Sequence, residues 1–266
     1  MRFYTPFMVA LFTLAGCSSV PLSDVDTEEL SVTVDYRQLP GRVELDTQWR
    51  TGFWNRRVNA DASRPEVITR GGEILGLNRG SDDGEYSLSM DPDTGPFRLI
   101  IPDTATPFPA LILPVGETVA LAGADSLSGE RFDREDKLAL SVRGETDRPR
   151  GWSFTAWCGN ESWTLNRSLP RNETSIDLDL GRLMQQINNA AEADLNGQIR
   201  VRVTLWEAFD MDWQPPFKPG VARAEDRLDF EVDTASFRFQ ATVRIQLAQN
   251  AFFSLQNQPW PVRYCS

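Results

Sequence analysis

Along most of the chain, apolar and polar residues alternate one for one. Leu30, Val32, Val34 and Tyr36 share one side of a period-2 run, and Val43, Leu45 and Trp49 repeat it after Pro40-Gly41. The alternation returns at Tyr86-Leu88-Met90, Phe97-Leu99-Ile101, Leu138-Leu140-Val142, Ile199-Val201-Val203-Leu205 and Leu228-Phe230-Val232, and over residues 237–247. Successive side chains of a strand point to opposite faces, so each run predicts a strand with one buried and one wet face. Gly, Pro and Asp clusters separate the runs at short intervals, as in antiparallel sandwiches. One stretch changes period. Leu180, Leu183, Met184, Ile187, Ala191 and Leu195 recur at helical spacing, which predicts one amphipathic helix over about 180–195. Asp179 is its expected N-cap and Asn196-Gly197 its stop signal.

A length of 266 residues allows one or two domains. The polar stretch at 146–151 is the expected division. The reading is therefore a mainly β chain of two antiparallel β-sandwich-like domains, 30–145 and 146–266, the second carrying the helix.

Charge and composition narrow the chemistry. The net charge is −11 with no run of Lys or Arg, which argues against a nucleic-acid partner. There is no histidine, so Ser-His and Cys-His nucleophiles and His-ligated metals are excluded. Neither Gly-x-Ser-x-Gly nor a phosphate-binding glycine loop occurs. No catalytic residue, metal site or cofactor is expected. Asp91 and Asp93, spaced like the start of a calcium loop, read better as a turn. Asp210 and Asp212 would be the carboxylates of a hydrolase, but a solvated loop is favoured.

The tryptophans are the remaining candidates. Of eight, six follow residue 150. Alternation puts Trp152 with Phe154 and Cys158 in the core, and turns Trp157 and Trp206 to the other face of their sheet. Trp213-Gln214-Pro215-Pro216-Phe217 is a stiff aromatic loop, because proline lowers the entropy lost on binding; it either faces a partner or tucks onto the sheet. Trp157, Trp206, Trp213 and Phe217 are thus the expected contact residues for a protein or glycan.

Met1-Arg2, an apolar run from Phe7 to Phe12, and Leu14-Ala15-Gly16-Cys17 followed by Ser18 resemble the signal sequence and lipobox of bacterial lipoproteins. The resemblance implies cleavage after residue 16, lipidation (palmitate included) of Cys17, and a membrane partner through that anchor. Ser18 in place of Asp implies the outer membrane, facing the periplasm. Residues 17–29, polar and acidic, would be the tether. With Cys17 lipidated, Cys158 and Cys265 remain, and an oxidising periplasm favours one disulfide between them over two free thiols.

Three later segments are similar to small outer-membrane lipoproteins related to secretion pilotins: Val201 to Ala208, Leu228 to Val232, and Phe239 to Ile245 with Pro259-Trp260-Pro261-Val262. Such proteins are small β-sandwiches that bind a partner segment and do no chemistry. The expected function is a non-enzymatic outer-membrane lipoprotein binding a protein or envelope component in assembly or secretion. The alternative is a lipoprotein that binds carbohydrate or peptidoglycan through exposed Trp.

Overall fold

The computed structural model describes residues 19–102, 108–116, 119–143, 147–234 and 261–265. Cys17, Trp260 and the apolar run 237–247 lie outside them. In chain order the strands begin with β1 (Val20–Pro21), β2 (Leu30–Leu39), β3 (Arg42–Thr51), β4 (Arg56–Asn59) and β5 (Glu66–Ile68). Then come β6 (Ile74–Gly76), β7 (Asn78–Arg79), β8 (Glu85–Met90), β9 (Phe97–Ile100) and β10 (Leu111–Leu113). After these come β11 (Ala120–Ala122), a short helix α1 (Ala124–Leu127), β12 (Arg131–Asp133), β13 (Lys137–Arg143), β14 (Arg150–Cys158), β15 (Glu161–Leu169) and β16 (Ser175–Asp179). The order ends with α2 (Leu180–Ala191), β17 (Asp194–Ala208), β18 (Phe217–Asp233) and β19 (Val262–Cys265). The chain is mainly β with sandwich-like sheets, as the alternation requires.

Two compact units form. The first takes Met1–Tyr36, Glu44–Leu113 and Met211–Val221; the second takes Arg37–Val43, Pro114–Asp210 and Ala222–Ser266. This differs from a division at 145/146. Strand pairing is the reason: β13 lies between β11 and β16, which draws residues 120–143 into the second unit. The later segment joins the first unit through its backbone. Val32 N–H donates to Pro216 O at 2.9 Å, and Val221 N–H donates to the Asp35 carboxylate at 2.6 Å.

In the first unit, strands run in the order β1-β4-β3-β2, with β8 on β3 and β7 on β8; a second sheet has the order β10-β9-β5-β6. Val32, Val34, Leu45, Trp49, Val67, Phe97, Leu99 and Leu113 are wholly buried. Trp49 meets Tyr86 edge-on, with ring centroids 5.9 Å apart. Buried Trp and Tyr need partners for their polar ends. Trp49 Nε1 donates to Thr47 Oγ1 at 3.0 Å, and the Ala60 N–H donates to the Tyr86 hydroxyl at 2.6 Å. Asp91 accepts from the Asp93 N–H at 2.9 Å and opens a 3-10 turn, so this pair builds a turn.

The described part of the acidic segment, 19–29, is docked rather than a free tether. β1 pairs in parallel with β4, Val20 opposite Val58 and Pro21 opposite Asn59. Ser19 Oγ donates to Asp83 at 3.0 Å, and Gly52 N–H donates to Glu29 O at 3.4 Å. Period-2 reading misses this because two residues cannot show a period.

In the second unit, β15-β14-β17-β18 form an antiparallel sheet, joined by β12 in parallel to β18 and β19 in parallel to β17. Its inward face carries Phe154, Ala156, Val201, Val203, Leu205, Leu228 and Phe230, all buried. Helix α2 packs against β15, β16 and β17 with Leu180, Leu183, Met184 and Ile187 buried. Asp179 caps it, accepting from the Arg182 N–H at 3.0 Å; that bond, with Lys137 and Arg182 nearby, holds the Asp179 carboxyl below its ordinary value. The helix ends at Ala191, not near 195. Glu192 turns into the left-handed region at φ 50°, and Leu195, in phase with the helix, belongs to β17. Asn188 makes the change of direction possible, its side-chain oxygen accepting from the Leu195 N–H at 3.3 Å.

Cys158 and Cys265 are bridged, with Cα atoms 4.8 Å apart across 107 residues of sequence. Residues 194–197 receive β19 in parallel register, Gly197 opposite Cys265. Trp152 shares the inward phase of Phe154 yet is only half-buried: Leu205 flanks it on β17, but on β15 its neighbour is Arg167, not an apolar residue.

Candidate binding face

The outward face of β15-β14-β17-β18 follows from register alone. Four cross-strand rows line it: Ser162, Trp157, Arg200, Glu231; Thr164, Thr155, Arg202, Asp229; Asn166, Ser153, Thr204, Arg227; and Ser168, Gly151, Trp206, Glu225. Charges and hydroxyls dominate, and the two tryptophans stand in the first and last rows.

The Trp206 end is closed. Glu225 is 2% exposed. Its carboxylate accepts from Arg223 Nε at 2.5 Å and from Arg227 Nη2 at 2.8 Å, and Arg37 Nε lies 3.7 Å away. Burial pushes this carboxyl up, but the Arg227 and Arg223 interactions outweigh it and hold the group below its ordinary value. Arg223 stacks on the Trp206 ring at 5.9 Å from its centroid. The ring's other role is to cover Gly151: a Cβ there would stand 2.5 Å from Trp206 Cζ2 and 2.5 Å from Arg167 O. An aromatic laid over a strand glycine replaces the packing the glycine lacks. Gly151→Ala should therefore displace Trp206 and destabilise the protein by about 1–3 kcal/mol, read as a lower urea midpoint. An unchanged midpoint would contradict the contact.

The Trp157 end is open. A groove of about 370 Å³ is lined by Gly129, Trp157, Arg200, Arg202, Asp229 and Glu231, with the β17 and β18 backbones as its floor. Arg202 holds Asp229 with two bonds, Nε to Oδ1 at 2.7 Å and Nη2 to Oδ2 at 3.0 Å, and its guanidinium sits 5.6 Å from the Trp157 ring centroid. The Asp229 bond raises the Arg202 pKa. The groove offers one half-buried aromatic flanked by groups of both signs, a surface suited to recognition.

The expected contact residues separate. Trp157 lines the groove. Trp206, on the same face, is committed to Gly151 and Arg223. Trp213 is half-buried in the first unit, and Phe217 is 4% exposed. Phe217 therefore cannot serve as an exposed contact: it starts a strand, its N–H donating to Gln214 O at 2.9 Å, and its ring turns inward. Asp210 and Asp212 are exposed, Asp212 accepting from Gln214 Nε2 at 2.8 Å. Among the described residues no group of three or more Cys, Asp or Glu side chains gathers to hold a metal ion.

Sequence reasoning overlooked the most exposed aromatics among the described residues. Phe53 and Trp54, in the turn between β3 and β4, are 93% and 82% exposed. They lie outside every alternating run. The available signal was Gly52-Phe53-Trp54-Asn55, two large aromatics between turn formers.

No protein-family model and no curated protein matches the chain. Solved structures similar to it include native E. coli alpha-2-macroglobulin, at 12% identity over 78% of this chain and 14% of that one, with a TM-score of 0.26. Another is the IG1+IG2 segment of DIP-gamma, at 10% identity over 77% and 98% of the two chains, TM-score 0.23. A third is the two-domain fibronectin type-III segment of chicken tenascin, at 10% over 77% and 99%, TM-score 0.21. The chain spans about one seventh of the alpha-2-macroglobulin chain's length.

Proposed function

We propose that this chain is a non-enzymatic lipoprotein of the outer membrane, anchored through Cys17 on the periplasmic side, that binds a protein or other envelope component across the open end of the second unit's sheet. The observation that supports it is the contrast within one face: Trp206 lies over Gly151 and under Arg223, whereas Trp157 lines an open groove with Arg200 and with Glu231, which pairs with Arg131 at the rim. A fixed aromatic beside a prearranged Arg202–Asp229 pair loses little entropy on binding and supplies specificity through charge. A glycan or peptidoglycan ligand is the second reading. What favours it is the same Trp157 ring beside paired Arg and Asp groups, which can exchange hydrogen bonds with sugar hydroxyls.

Two variants test the proposal. Cys17→Ala should remove the protein from the outer-membrane fraction, by release or by mislocalisation. Trp157→Ala should weaken capture of the partner about tenfold, equivalent to about 1.4 kcal/mol, with fractionation and disulfide formation unchanged. A glycan array run beside cross-linking in envelopes separates the two ligand classes. Unchanged capture by Trp157→Ala would move the binding site off this groove.

A further inference from the structure

We infer that the Phe53–Trp54 turn is a second membrane contact, which seats the first unit on the bilayer that holds its acyl chains. The inference rests on the proposed lipidation of Cys17. Phe53 and Trp54 pack edge-on at 5.4 Å between ring centroids, yet present nearly all their surface outward. Large aromatic side chains exposed together at a turn gain from leaving water, and tryptophan in particular favours the membrane–water boundary.

Chain direction supplies the occupant. β4 leaves the turn at Arg56 and runs away from it. β1 lies beside β4 in parallel, with Val20 opposite Val58. Followed backwards from Pro21 to Ser19, the chain therefore heads toward the 52–55 turn. Cys17 is two residues before Ser19, a reach of at most about 7 Å. A lipid on Cys17 must then enter the bilayer close to the two exposed rings. The docking of β1 on β4 is what joins these features; a free tether would let the anchor and the turn point anywhere.

Charge does not drive this contact. Arg57 pairs with Asp82 at 2.9 Å and Arg79 with Asp83, and the exposed, acidic Glu29 lies against the turn, its backbone oxygen accepting from the Gly52 N–H at 3.4 Å. Insertion by the rings should therefore persist at high salt, unlike binding by a basic patch. Stable attachment commonly needs two signals, and here the second fixes orientation.

The test uses the full mature protein, extracted with its lipid and reconstituted into phosphatidylethanolamine–phosphatidylglycerol vesicles with or without brominated acyl chains. Bromine quenches tryptophan emission at contact range. The wild type should lose emission of the order of one tryptophan's share of eight, at low and high salt alike, and Trp54→Phe should lose none. Absence of quenching in the wild type, or equal quenching in both proteins, overturns the membrane contact. If the intact mass then shows acylated Cys17, the anchor reading survives that failure. An intact mass without acyl chains overturns the anchor reading, and this inference with it.

Discussion

Glu225→Ala is expected to destabilise the protein by about 3–5 kcal/mol, the usual result of removing one partner from a buried ion pair. The loss arises from what remains: Arg223 and Arg227, which both bond the Glu225 carboxylate, would face each other without it. Glu225→Gln should lose less, because an amide oxygen still accepts one of the arginine bonds. The pH dependence follows from the direction of the shift. The folded carboxyl titrates below its ordinary value, about 4.3 for an unfolded Glu, so its contribution is full above that pH and is lost as pH falls through the lower folded value. Urea unfolding at pH 7, and then from pH 5 downwards, measures both. Glu225→Gln should flatten the acid limb. A Glu225→Ala midpoint within about 0.5 kcal/mol of the wild type, the range of ordinary surface substitutions, would contradict the buried network.

Breaking the Cys158–Cys265 bridge should destabilise the chain by about 2–5 kcal/mol, because a closure of 107 residues is lost from the unfolded ensemble. Cys265→Ser is the cleaner variant, since it leaves β14 with a small buried thiol. The local effect is equally specific. β19 is held by the bridge, by its parallel pairing with 194–197, and by the Arg263–Glu161 ion pair; Arg263 also lies over Trp163 at 5.7 Å. Without the bridge, hydrogen exchange at 261–265 and 194–197 should quicken first. Equal urea midpoints with and without reductant would show that pairing alone holds the tail. The bridge also fits a chain that folds in an oxidising compartment, where such bonds persist.

Much of the sheet architecture was legible in the sequence because period 2 is a direct physical consequence of the pleat. Phe154, Val201, Val203, Leu228 and Phe230 are buried together because they share a parity, and Trp157 faces outward because it does not. Asp179 was legible as a cap because its carboxylate sits one step before a helical apolar stripe. The end of that helix was not. Leu195 satisfies the helical spacing, but Asn188 and the left-handed Glu192 turn the backbone into a strand, and propensity cannot show which partner a backbone N–H will find. Of the expected contact residues, parity placed Trp157 and Trp206 on the outward face. It could not distinguish them, since only the tertiary structure lays Trp206 over Gly151.

By itself, then, the sequence determined the period, hence which side chains share a face, together with one helix and the absence of imidazole chemistry. Three things were decided only in three dimensions. Strand partners set the units, because β13 chose β16 and carried residues 120–143 across the expected boundary. Register set the groove, because Arg202 and Asp229 are 27 residues apart and meet only when β17 and β18 align. The docking of β1 on β4 turned an acidic tether into a fixed lead toward Phe53 and Trp54. Each is a long-range backbone choice, made by the hydrogen bonds and apolar area of the whole sheet, and no local window of residues contains it.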